Sequence, residues 1–92
     1  MRPLMQALPG ALAELLRDAP LSPGKVKFAW RAAVGANLER VTSVHLDGRV
    51  LIVDAADQHW ARELTRSSDV IVRRLRTLLG ADAIERIVVR ER

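Results

Sequence analysis

The chain has no cysteine, and its aromatic rings other than histidine are Phe28, Trp30 and Trp60 alone. The first absence excludes disulfides, thiol catalysis and thiolate-bound metals together. The second argues against binding single strands by stacking bases, since all three rings fall in helical stretches. Glycine stands only at 10, 24, 35, 48 and 80, each isolated, so there is no glycine-rich phosphate loop and no basis for ATP hydrolysis. His45 and His59 lie on different elements, away from clustered carboxylates, and supply no ligand set for a metal. Asp54 and Asp57 flank one turn, but Asp57 suits a helix cap better than half of an acid/base pair. No apolar run approaches the roughly 20 residues of a membrane span, and Met1 to Arg17, with Glu14 inside it, lacks a signal-peptide layout. A cytoplasmic, non-enzymatic protein is expected, with no cofactor, small-molecule substrate or membrane partner.

Lysine is also scarce: 13 of the 15 basic residues are arginine, and the formal charge is +4. The planar guanidinium fork suits bidentate contacts to phosphate and carboxylate, so a nucleic acid or an acidic protein surface is a reasonable partner. Ninety-two residues, 49% of them hydrophobic, make one domain with a small core.

One stretch organises the rest. From Asp57 to Leu79 the pattern reads as a single amphipathic helix, with Trp60, Leu64, Ile71, Leu75 and Leu78 on one stripe and Arg62, Arg66, Arg73 and Arg76 on the opposite one. Asp57 is its N-cap and Gly80 its stop. Ahead of it, residues before Leu8 read as frayed, a first helix runs from Pro9 to Arg17, and Ser22 with Pro23 opens a second helix to about Leu38, so that the domain spans 9–92. In that second helix Val26, Trp30, Ala33 and Val34 share the apolar side, and Gly35 costs about 1 kcal/mol of propensity, marking close packing or a bend.

From Val41 the period changes to two. Asp47 and Gly48 suit a type I′ turn, which places Leu46 opposite Arg49, Val44 opposite Leu51 and Thr42 opposite Val53. Val44, Leu46, Leu51 and Val53 then face the core, while Val41, Ser43, His45, Val50 and Ile52 form a mixed outer face. After Gly80, Ile84 to Arg90 reads as a third strand, with Ile87 and Val89 on one side and Arg86, Val88 and Arg90 on the other. The order ααββαβ implies an α+β fold: a three-stranded mixed sheet with helices on one face, the helical crossover making strands two and three parallel if adjacent.

Two features admit a structural and a functional reading. Trp30 and Trp60 sit on apolar stripes, where large aromatics are normally core, yet Trp60, in a first turn beside Gln58 and His59, can also anchor a partner. The arginine stripe is either a solvated face with local ion pairs or a surface for phosphate or an acidic partner. Arg86 and Arg90, mixed with Val50, Ile52 and Val88, form a second candidate surface.

Taken in order, Trp30, then Val34 and Gly35, the Asp47 and Gly48 hairpin with Val50 to Val53, then Trp60, Ala61, Glu63 and Leu64, then Leu75, Leu79, Gly80 and the closing Ile87 to Arg90 strand resemble the DciA-like family over about residues 9 to 91. The resemblance implies a KH-like domain of bacterial replication initiation that binds the replicative DnaB-type helicase and helps load it on single-stranded DNA, without ATPase activity. On that reading Trp60, Gln58, His59, Arg62 and Arg66 meet the helicase, and Arg62, Arg66, Arg73, Arg76, Arg86 and Arg90 are candidates for nucleic acid. Asp57, Trp30, Gly35, Gly48 and Leu64 are structural. Asp57 stands where the family usually has serine and preserves capping, Gln58 replaces a second common serine, and the Gly-x-x-Gly loop of nucleic-acid-binding KH domains is missing. The alternative is a stand-alone KH-like module for single-stranded DNA or RNA.

Overall fold

The computed structural model describes residues 20–92. The helix expected over Pro9–Arg17 and the segment ahead of Leu8 lie outside the described residues.

Helix α1 spans Pro23–Val34. The Ser22 hydroxyl accepts the Lys25 N–H (3.1 Å) and proline occupies the first turn, where its missing donor costs nothing. The helix expected to reach Leu38 stops sooner, because Gly35 takes φ 89° and ψ 165°, backbone open essentially to glycine alone. Its N–H still closes onto Arg31 O (2.8 Å), and a short helix α2, Ala36–Arg40, follows at a new angle.

Strands β1 (Thr42–Asp47) and β2 (Val50–Ala55) form an antiparallel hairpin, and β3 (Arg86–Glu91) lies parallel to β2 on its far side. The hairpin register differs from the expected one by two residues on β2: Thr42 pairs with Ala55, Val44 with Val53, Leu46 with Leu51 and Asp47 with Val50. The loop is therefore Gly48–Arg49, with φ 62° at Gly48 and no positive φ at any non-glycine residue. That is the sign pattern of a type II′ turn, which needs one left-handed residue; the type I′ turn would have forced Asp47 into that region as well. A two-residue shift preserves the faces. Leu51 and Val53 are fully buried, and Val44, Leu46, Ile87 and Val89 pack against the core from the same side.

The stretch after Asp57 is two helices rather than one, α3 (Gln58–Arg66) and α4 (Ser68–Leu79). Ser67 breaks it with φ −97° and ψ 6°. The Ser67–Ser68 pair favours such a kink, and the Thr65 hydroxyl bonds back to Ala61 O (2.9 Å), a contact that bends helices. The Ile71 N–H still reaches Ser67 O (3.0 Å), so the apolar stripe crosses the break, with Leu64, Ile71, Leu75 and Leu78 all buried. The break lets α3 cover β2 and β3 while α4 turns onto α1.

Trp30 is core. Its indole N–H donates to the Thr42 hydroxyl (2.9 Å), which donates in turn to Leu38 O (2.8 Å), so the buried polar atoms are matched. The helices thus lie on one face of a three-stranded mixed sheet, as the order implied.

Candidate functional site

The start of α3 is fixed by its cap. The Asp57 carboxylate accepts the Trp60 N–H (3.0 Å), satisfying a donor without a helical partner. Capping sets the first turn so that Trp60 is half-buried, one part of its ring against the core and the rest at the surface. His59 meets it edge-on, with ring centroids 5.0 Å apart and planes at 69°. Gln58 and His59 are exposed beside it. Arg62 and Arg66 follow one and two turns on and line a shallow depression with Ala61 and Thr65. These five expected contact residues therefore share one helix, with Arg62 and Arg66 on the face opposite Trp60.

The arginines separate by what their guanidinium groups already hold. Arg74 donates to Ala33 O (3.0 Å) at the end of α1, where helix carbonyls lack partners. Arg76 grips the segment entering β3, donating to Ile84 O and Glu85 O (both 3.0 Å), and Arg49 donates to Asp82 O (2.8 Å). These three work as clamps on backbone. Arg90 forms a two-pronged pair with Asp54 across the parallel register, at 2.9 and 3.2 Å. The hydrogen bond from Arg90 holds the Asp54 carboxyl below its ordinary range, aided by nearby positive charge, and the same bond raises Arg90. Arg66 pairs with Glu63 (3.2 Å) on an exposed surface, where such pairs are weak.

Arg31 stands near Glu39 (3.9 Å), and Arg40, Arg62, Arg73, Arg86 and Arg92 remain, exposed and with no ion pair or side-chain hydrogen bond among the described residues. Arg73 and Arg86 are brought together in a cleft of about 330 Å³ between α4 and β3, which Ser68, Asp69, Arg76 and Glu85 also line. Nothing in the residue pattern points to this grouping, since Arg73 and Arg86 read as members of separate surfaces. In the sequence Ser68 reads as an ordinary surface residue and Asp69 only as an interruption of the arginine stripe, so neither points to the cleft. Arg86 and Arg90 do share the outer sheet face, opposite Val50 and Asp54, but Arg90 is charge-matched there.

A family model described as "Dna[CI] antecedent, DciA" matches residues 3–89. The chain belongs to the DciA family. Neither a curated protein nor a solved structure matches it. Membership in the DciA family connects the chain with DnaB-helicase loading in DNA replication, in a family of loaders and adaptors rather than a known enzyme family. Among the described residues no group of three histidine, cysteine or acidic side chains is arranged to hold a metal, and no helix is long and apolar enough to cross a membrane.

Proposed function

We propose that this DciA-family chain is a cytoplasmic, non-enzymatic adaptor that binds a DnaB-type replicative helicase and assists its placement on single-stranded DNA. The family match over residues 3–89 carries this reading. At residue level it is supported by Arg62 on α3 and the Arg73 and Arg86 pair in the α4–β3 cleft, whose guanidinium groups are uncommitted. In this reading Gln58, His59, Trp60, Arg62 and Arg66 meet the helicase, Trp60 supplying apolar area already half desolvated and the two arginines meeting acidic groups. Arg73 and Arg86 hold DNA phosphates in the α4–β3 cleft, with Arg76 shaping its wall.

The fold itself is read as KH-like. Supporting this, the described elements run two helices, hairpin, two helices, parallel strand. The junction between the paired helices, where a nucleic-acid-binding KH domain carries Gly-x-x-Gly, is Arg66-Ser67-Ser68 in this chain. Without glycine the backbone cannot be approached as closely, which assigns phosphate binding to side chains and makes the DNA contact weak without the helicase. Loading by binding alone requires preference for the helicase's loading-competent state, since equal affinity for both states shifts nothing.

Calorimetric titration of the cognate hexameric helicase tests the partner. Binding in the micromolar range, weakened about tenfold by Trp60→Ala, is expected, and no binding at tens of micromolar overturns the adaptor reading. Arg73→Gln with Arg86→Gln should leave that titration unchanged and weaken the ternary complex with single-stranded DNA. A chain that ignores the helicase yet binds DNA with steep salt dependence would be a stand-alone nucleic-acid module instead.

A further inference from the structure

The two edges of the sheet are protected unequally. On β3, the exposed residues Arg86, Arg90 and Glu91 place charges at both ends. Charged side chains are a standard defence against another strand pairing with an edge. The other edge, β1, reads Thr-Ser-Val-His-Leu-Asp and has no lysine, arginine or proline. Its hydrogen-bonding pattern follows from one contact: Ala56 N–H donates to Val41 O (2.8 Å), and those residues stand opposite each other in the hairpin register. Pairs then alternate, so that Ser43, His45 and Asp47 exchange bonds with β2, while Thr42, Val44 and Leu46 turn their N–H and C=O groups outward. Among the described residues nothing pairs with that outer edge.

Beside it lies a groove of about 260 Å³ between α1 and β1, lined by Leu21, Pro23, Val26, Lys27, Val44 and Leu46. Lys27 also borders an adjoining depression, which Trp30, Glu39, Thr42, Ser43 and Val44 line, so it belongs to both hollows beside the edge. It is exposed and has no ion pair among the described residues.

We propose that the β1 edge and this groove capture an extended segment of a protein partner, added as a fourth strand and carrying an apolar residue two positions from an acidic one. Main-chain groups of Val44 and Leu46 supply the pairing. The apolar side chain enters the groove over Val26, and the carboxylate meets Lys27. Alternation along a strand puts residues two apart on the same face, which is what a groove with a cation at one end requires. Charge argues against a second copy of the chain: each copy carries a net charge of +4 and the same Lys27 beside its β1 edge. This surface is separate from α3 and independent of the helicase reading.

The test uses the full chain, nitrogen-15 labelled, and an eight-residue capped peptide alternating valine and threonine with one glutamate two residues from the central valine. Amide shifts should concentrate at Val26, Lys27, Val44 and Leu46. A peptide with lysine in place of glutamate should bind about fivefold more weakly, and Lys27→Glu should reverse that preference. Val44→Pro removes an outward N–H without touching a bond to β2 and should abolish binding. Should that variant fail to fold, the charge reversal at Lys27 decides alone. Equal affinity of Lys27→Glu for both peptides overturns the proposal. So do shifts confined to β3 or α3, self-association through β1, or Val44 and Leu46 amides protected from exchange before peptide is added.

Discussion

Thr42→Val isolates the buried polar relay that runs from Trp30 through Thr42 to Leu38. The substitution keeps β-branching and nearly the same volume, so strand preference and packing change little. What is lost is the acceptor for the Trp30 indole N–H, at 2.9 Å, in a side chain only 1% exposed. A buried donor left unmatched costs about 1–3 kcal/mol. Leu38 O loses the hydroxyl but keeps the Val41 N–H at 3.2 Å, so its share is small. A loss of about 2 kcal/mol is expected, which in a domain of this size lowers Tm by roughly 8–16 °C. Urea denaturation at 25 °C, followed by circular dichroism so that indole fluorescence plays no part, measures it. The control is Trp30→Phe, which removes the donor: on that background Thr42→Val should cost less than about 0.5 kcal/mol. An equal cost on both backgrounds, or a parent cost under about 0.5 kcal/mol, refutes the claim that the bond to Trp30 sets the value.

Three further outcomes follow from the geometry. Gly35→Ala meets open space but a φ of 89°, so it should destabilise by about 1–3 kcal/mol in the same denaturation assay, through strain rather than collision. Asp57→Ala should cost about 1 kcal/mol and increase amide exchange in the first turn of α3, while Asp57→Ser should restore most of it. The Asp54 carboxyl titrates below its unfolded value, so its contribution to stability is complete above about pH 4 and is lost as pH falls through the lowered value. Arg90→Gln should return that titration to the ordinary carboxylate range in an NMR pH series and flatten the acid limb of the stability curve.

Much of the fold was legible because burial leaves a periodic trace. Leu64, Ile71, Leu75 and Leu78 recur at helical spacing and are buried, and Leu51 and Val53 alternate as a strand with one face in the core. The family resemblance, carried by residues from Trp30 to Arg90, agrees with the match over 3–89. Three errors have local physical causes. The helix broke at Gly35 because one residue took a conformation that propensity scales count only as a cost. The break at Ser67 lies in a stretch whose apolar stripe stayed continuous, so periodicity could not reveal it. The hairpin slipped because one glycine supplies the single left-handed residue of its turn, and Asp-Gly fits either frame. The site was less legible still. Arginines at 74, 76 and 90 look like their neighbours in sequence, and only the chain path shows that carbonyls and Asp54 already occupy them.

The parallel pairing of β3 with β2 also orders the folding of the molecule in time. The β1–β2 hairpin closes across two residues, whereas Val53 meets Val89 only after the chain has travelled through both α3 and α4. Closing the longer loop costs more entropy before any contact repays it. The hairpin is therefore expected to form ahead of the β3 pairing, an order that φ-values at Val44 and Val89 would test. Interactions made by Ile87 and Val89 then act mainly on the unfolding rate, which makes the final strand the latch that sets how long the folded domain persists.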